Sequence, residues 1–268
     1  MMPICPVCGA PLSAGEHAWY CENRHSFDVA RQGYVNLLTV SRRHSMHPGD
    51  TRDMVAARRR FLGAGHYAPA AERLCALLRE FCPDMRAVLD AGCGEGYYLA
   101  RVGEAFPSAE LWGLDISKDA VRYASAAYRR ARWLTATAAA LPFSDGSFDA
   151  LLSMFALTCE GEFARVLRPG GVFIQVLAGA EHLIGLKSII YPEILRREKH
   201  QERALEGFTL LRHETLSFGF SLTGAEEVGS LLAMTPHFWR ISREGAERLA
   251  AAQSLDDRAE IVFNVYGR

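Results

Sequence analysis

Two constellations in this chain of 268 residues have the residue types and spacing to do chemistry. The first is Cys5-x2-Cys8 and Cys21-x3-His25, two close pairs with twelve residues between them. Thiolates and an imidazole in that spacing can close a tetrahedron around zinc, and Gly9 and Pro11 after the first pair permit a tight knuckle turn. Four protein ligands fill such a site, so the zinc expected there is structural and activates no water. The second constellation is Asp90-Ala91-Gly92-Cys93-Gly94-Glu95-Gly96, which follows an apolar run and opens a helical pattern. Glycines there let backbone amides approach a ligand with no side chain intervening. A dinucleotide loop would read G-x-G-x-x-G, whereas here the third glycine falls at position 96 and Tyr97 takes the place of the last small residue. Asp115 ends the next apolar run, nineteen residues after Gly96, where a carboxylate can accept both hydroxyls of a ribose. A D-x-G-x-G loop with such an acid matches the S-adenosylmethionine pattern, so Asp90, Gly92, Gly94, Gly96 and Asp115 are candidate cofactor contacts.

These residues need a scaffold, and the chain supplies one in three zones. Residues 1–38 are rich in Cys, Gly, Asn and aromatics without sustained periodicity, as expected of a module whose core is replaced by a metal. Residues 39–70 read as a polar, basic connector, and residues 71–268 as the main domain. A helix over Ala71 to Cys82 places Leu74, Leu77, Leu78 and Phe81 on one face. Strand-like runs follow at Leu111 to Ile116, Arg132 to Thr137, Phe148 to Phe155 and Gly171 to Ala178, separated by helical or turn-rich sequence. Such alternation predicts an α/β fold with a mostly parallel, doubly wound sheet. Late strands are expected over Phe208 to Phe218 and Ile261 to Gly267, flanking a helix near Ala225 to Ala233. Pro169 is expected to end a helix, with Gly170 and Gly171 forming the turn. Asp149, Cys75, Cys82 and Cys93 read as structural residues, and Cys159 as an inert thiol.

The segments Leu141-Pro142-Phe143 and Leu167-Arg168-Pro169-Gly170-Gly171 resemble class I (Rossmann-like) methyltransferases. A longer series is more specific: C-P-V-C at 5–8, C-x-x-x-H-S-F-D at 21–28, G-Y-V-N-L-L at 33–38, P-G-D-T-R-D-M-V-A-A-R-R-R-F-L-x-x-G-H-Y at 48–67, and L-D-A-G-C-G-E-G-Y-Y at 89–98. With looser matches at 181–187 and 234–240, this order resembles the RlmA-type 23S rRNA (guanine-N1)-methyltransferases. The resemblance implies zinc on Cys5, Cys8, Cys21 and His25, and the methyl donor against Tyr67, Gly94, Glu95 and His182. From their own sequence context alone, the favoured readings are that Tyr67 staples the connector to the core and that His182 caps a helix. Where the family has F-A-P and P-R-H, this chain has Phe155-Ala156-Leu157 and Ala180-Glu181-His182.

The reaction implied is methyl transfer to N1 of a guanine in an unpaired or flipped state, because that edge is hidden in a paired stem. The N/D-P-P-Y/F run typical of exocyclic-amine methylation is missing from Met154 to Thr158. No catalytic residue is identified, although Glu160, Glu162 and His182 are candidates for accepting the N1 proton. The partner implied is 23S ribosomal RNA. The net charge of -1 confines any RNA surface to a local patch, and residues 41–60 carry six arginines against two aspartates, beside His44 and His47. Arg58, Arg59 and Arg60 would equally form a solvated helix face, and Tyr20, Phe27 and Tyr34 would serve either as base-stacking groups or as the module's core. Neither an export signal nor a membrane anchor is expected, so the protein is expected in the reducing cytoplasm, with monomer and homodimer both open. The competing readings are a small-molecule methyltransferase that shares the core, and a zinc-dependent RNA-binding protein that keeps the cofactor fold without turnover.

Overall fold

The apolar runs near residues 87–91, 111–114, 133–135, 148–154 and 171–176 become strands buried on both faces, as a sheet covered on both sides requires. They are seen in a computed structural model that describes residues 2–39, 49–194 and 203–268. In chain order, β1 (Ser13–Ala14), β2 (Ala18–Tyr20) and β3 (Ser26–Asp28) form a small antiparallel sheet, followed by β4 (Val35–Asn36). Helices α1 (Arg52–Gly63) and α2 (Ala68–Phe81) lead to β5 (Ala87–Ala91), α3 (Tyr97–Ala105), β6 (Glu110–Asp115), α4 (Lys118–Ala127) and β7 (Arg132–Thr135). The chain continues through β8 (Phe148–Met154), α5 (Glu160–Val166), β9 (Leu167–Ala178) and α6 (Ile184–Ile190). It ends with β10 (Thr209–Thr223), α7 (Ala225–Ala233), a 3-10 turn at Pro236–Trp239, α8 (Arg243–Ala251) and β11 (Ser254–Gly267).

The main sheet has eight strands in the order β10-β11-β9-β8-β5-β6-β7-β4. Its pairs from β9 to β4 are parallel, and β11 runs antiparallel to both β9 and β10. The strand order reverses between β5 and β8, which opens a crevice at their carboxyl ends where ligands of such sheets sit. Among the described residues, no helix is long and apolar enough to cross a membrane.

One sheet face is covered by buried residues of α2, α3, α4, α6, α7 and α8. The opposite face presents Leu89, Trp112, Leu134, Leu151 and Phe173, with α5 over one end. At the other end the cover is the N-terminal module itself: Cys5, Leu12, Cys21, Val35 and Leu37 lie in the same apolar cluster. Trp19 meets Trp112 edge-to-face at 6.3 Å, and the Ile4 amide donates to the Pro142 carbonyl at 2.9 Å. Residues 136–147, between β7 and β8, form no helix, so the module occupies the place where a crossover helix would lie. Strand β4 then extends the main sheet by pairing Val35 and Asn36 with Leu134 and Thr135. Phe27 packs partly buried against this cluster and Tyr34 is buried, so both serve as core, whereas Tyr20 is exposed.

Several elements differ from the sequence expectation. The described part of 39–70 includes α1, whose first free amides are met by the Thr51 hydroxyl, which accepts from the Met54 amide. Met54, Val55, Ala57, Phe61 and Leu62 are its buried face. The late strands are longer than the apolar runs suggested, because β10 and β11 pair with each other along a ribbon that projects past β9. Helix α5 ends at Val166 rather than at Pro169, and Leu167 to Gly171 already belong to β9, since the residue before a proline is pushed toward extended backbone. Asp149 is structural, accepting the amides of Arg86 and Ala87 and pairing with Arg168.

Candidate active site and metal centre

The four expected metal ligands converge. Gly9, at φ +75, and Arg24, at φ +63, turn the chain behind the two pairs, so that all four ligand atoms lie within 4.8 Å of one another. Cys8 Sγ is 3.7 Å from Cys21 Sγ, and His25 Nδ1 is 3.6 Å from Cys5 Sγ and 3.4 Å from Cys21 Sγ. A zinc tetrahedron has S···S edges of about 3.8 Å and S···N edges of about 3.6 Å, so the residues fit the metal with little adjustment. Asn23 Nδ2 donates to Cys8 Sγ at 3.3 Å and leads the groups that bring this thiol down from 9.0 to about 6, toward the thiolate that zinc takes.

At the crevice, β5 runs into the glycine loop. Gly92, Gly94 and Gly96 have φ of +93, +54 and +91, a region that L side chains rarely adopt. A Cβ at Gly92 would lie 2.5 Å from the Ala156 Cβ, and one at Gly96 would lie 2.6 Å from the Trp133 ring. The place above Gly94 is open apart from Arg58 Nη1 at 3.4 Å. Asp115 fastens the loop from β6: its two carboxylate oxygens accept the amides of Gly94 at 2.9 Å and Ser117 at 2.8 Å. Each oxygen keeps a second lone pair, which leaves the ribose role open to it.

The loop is ringed by acids in an apolar setting. Burial foremost, then the charges of Asp115 and Glu95, push the Asp90 carboxyl up to about 8. Both Asp90 oxygens are buried with no hydrogen-bond partner in the protein, an unfilled acceptor that suits a cationic ligand. Burial also raises Glu95 and Asp115; Arg58 opposes this at both, and backbone amides oppose it at Asp115. The residues therefore fit an adenosylmethionine.

Tyr67 and His182 meet at the same edge. Tyr67 precedes α2 and is buried among Phe61, Phe155, Phe218 and Phe220, with ring centroids 5.0 to 6.4 Å away. His182 Nδ1 lies 2.9 Å from the Glu260 carbonyl, which can only accept, so Nδ1 carries the proton in the neutral ring. Nε2 is then the acceptor for the Tyr67 hydroxyl at 3.3 Å. Phe155 and Leu183 flank this pair with φ of +55 and +56, strained for non-glycine residues.

Comparison with known proteins agrees with both halves of this arrangement. Residues 4–46 match the RlmA N-terminal zinc-ribbon family and residues 88–171 a methyltransferase domain family. The 23S rRNA (guanine(748)-N(1))-methyltransferase of Streptomyces fradiae is 41% identical over 251 residues, covering 88% of this chain and 85% of that protein. The chain belongs to the 23S rRNA (guanine-N1)-methyltransferase family. A Micromonospora griseorubida protein named a 23S rRNA (guanine-N(1)-)-methyltransferase is 38% identical over 88% of this chain and 86% of its own length. By contrast, the malonyl-[acyl-carrier protein] O-methyltransferase of Hahella chejuensis matches at 34% over 41% of this chain and 42% of its own length.

Of the three candidate proton acceptors named from the sequence, two are committed elsewhere. Glu162 takes Arg165 and the Leu141 amide, and Glu160 takes Arg203 and the Glu206 amide. His182 is the candidate that sits in the crevice. Cys159 is partly buried with its thiol raised by desolvation, consistent with an inert group. Sequence reasoning missed three residues that meet beside the glycine loop: Arg58 of α1, Asp50 just before α1 and Ser117 at the start of α4. The arginine run divides three ways: Arg58 turns to the glycine loop, Arg59 lies 4.2 Å over the Tyr123 ring, and Arg60 reaches Ser230 and Glu226 of α7. Arg59 joins Arg52, Arg122, Gln32 and Asp119 around a surface groove between α1 and α4. Arg42, Arg43, His44 and His47, the rest of the expected basic stretch, lie outside the described residues.

Proposed function

We propose that the protein transfers a methyl group from S-adenosylmethionine to N1 of an unpaired guanine in a hairpin of 23S ribosomal RNA. The observation that carries this reading is the 41% identity to the Streptomyces fradiae enzyme over 251 residues, across 88% of this chain. The donor supplies an electrophilic methyl group on a sulfonium, and displacement at that carbon requires nucleophile, methyl and sulfur in line. The chain's contribution is therefore mainly positioning. Asp90, Gly92, Gly94, Glu95, Gly96 and Asp115 hold the donor, and Tyr67 with His182 borders its reactive end. Phe155 and Leu157, exposed on the loop after β8, offer an apolar edge against which a base can rest. His182, with Nδ1 protonated and Nε2 an acceptor, is the group that takes the guanine N1 proton once the Tyr67 hydroxyl yields to the base.

The α1–α4 groove, with three arginines against one aspartate, supports a path for RNA phosphates beside the crevice. Its wall includes Gln32 of the module, so the module helps to shape the RNA surface besides covering the sheet. A ribosomal RNA substrate assigns the protein to the cytoplasm. The experiment is reverse transcription on 23S rRNA from cells with and without this protein. A stop at the guanine corresponding to position 748 in the relative's name, lost with the protein, is expected. An unchanged stop pattern removes the substrate assignment.

A further inference from the structure

A methyl donor of this kind carries a carboxylate on its methionine end, yet the loop that would hold it is lined by acids. The charges of Asp115 and Glu95 raise the proton affinity of Asp90, the charge of Asp115 raises that of Glu95, and Asp50, a fourth carboxylate from the segment before α1, raises that of Asp115. The positive group whose field reaches both Glu95 and Asp115 is Arg58. Its Nη1 is 3.4 Å from the point above Gly94 where a Cβ would be, the open side of the loop.

We propose that Arg58 receives the carboxylate of the methyl donor's methionine moiety, and that Asp50 occupies the same guanidinium until the donor arrives. This rests on the donor reading above and names the residue that reads the donor's anionic end. The Arg58 guanidinium is ion-paired with Asp50 through Nη1 and donates from Nη2 to the Met234 carbonyl at 3.3 Å. Exchanging one carboxylate for another keeps this half-buried cation paired throughout, which avoids the large cost of an unpartnered charge. A guanidinium offers its donors in a planar fork that matches a carboxylate.

The surroundings allow the exchange at the aspartate and resist movement of the arginine. Helix α1 is held beside the loop because Ser117 Oγ donates to the Asp50 carbonyl at 2.6 Å and Gly49 lies against Ser117 and Ile116 with no room for a Cβ. Arg59 on Tyr123 and Arg60 on Ser230 hold the next residues. Apart from its pair with Arg58, Asp50 is held through its backbone carbonyl, and its side chain, 25% exposed, has a route to water.

Calorimetry on the zinc-loaded full chain tests this with S-adenosylhomocysteine and 5'-methylthioadenosine, the second lacking the amino acid and its carboxylate. Arg58→Gln is expected to weaken S-adenosylhomocysteine about 10- to 100-fold, as loss of a charge-assisted pair implies, and to leave methylthioadenosine unchanged. Equal loss for both ligands, or loss for neither, overturns the proposal. Where the variant does not fold, the unaltered protein is titrated with S-adenosylhomocysteine and its carboxamide. A preference of about 10-fold or more for the acid is expected; equal affinities overturn the proposal. If neither nucleoside binds the unaltered protein, the donor reading itself fails, and this inference with it.

Discussion

The Tyr67 hydroxyl lies 3.3 Å from Nε2 of His182, a buried hydrogen bond between residues 115 apart in the chain. It joins the start of α2 to the turn before α6 across the crevice, and the Glu260 carbonyl fixes the imidazole tautomer from behind. Tyr67→Phe deletes the donor and leaves a buried acceptor, so a stability loss of about 1 to 2 kcal/mol is expected in urea unfolding. His182→Gln leaves S-adenosylhomocysteine binding within about 10-fold while lowering single-turnover methylation of RNA by about 100-fold or more, the range of a lost general base. Methylation at the unaltered rate would take proton acceptance away from His182.

Asp90 makes stability depend on pH. Its carboxyl stands at about 8 in the fold against an ordinary 3.8, so the folded state binds the proton more tightly. The stability tied to that proton is fully present below the ordinary value and is lost as pH rises through about 8. Urea midpoints of the ligand-free protein should therefore fall between about pH 5 and pH 8.5 more steeply than those of Asp90→Asn, which cannot ionise. Parallel profiles would mean that Asp90 finds a partner.

Zinc removal should unfold more than the module. Because Cys5, Leu12 and Cys21 share a core with Trp112 and Phe143, stripping the metal uncovers one sheet face. Chelation is expected to lower the thermal midpoint of a single transition by about 10 °C or more. An unchanged main transition accompanied by a small separate one would describe an independent module instead.

The groove between α1 and α4 should act on RNA and not on the donor. Replacing Arg52 and Arg122 by alanine is expected to weaken RNA binding and to reduce the slope of log affinity against log salt by about one for each phosphate that is no longer neutralised. S-adenosylhomocysteine affinity should stay the same. A slope identical to that of the unaltered protein would exclude the groove from the RNA path.

The parts of the fold legible in the sequence are those whose cause is local. Strands β5 and β8 are short, mostly apolar runs because both of their faces are covered, and the glycine loop is a run of positions where close packing or φ excludes a Cβ. Helix α1 is harder to read because its apolar residues are interleaved with four arginines, and those apolar residues find their partners through packing against α7, α4 and the Tyr67 and Phe220 rings. Strand β4 is two residues long and exists through its pairing with Leu134 and Thr135, nearly a hundred positions away. The three consecutive arginines look alike in sequence, yet the turn of the helix sends one to the loop, one to a groove and one to α7.

What the sequence determined by itself is chemistry that depends on spacing along the chain: four zinc ligands in two pairs, a side-chain-poor loop after a buried strand, and an acid at the end of the next strand. What only the tertiary structure decided is which distant groups share a space. The module became part of the main core, Tyr67 and His182 became partners, and Arg58 came to stand over Gly94. Burial and side-chain direction arise from packing between elements, and the order of residues along the chain does not specify either one locally.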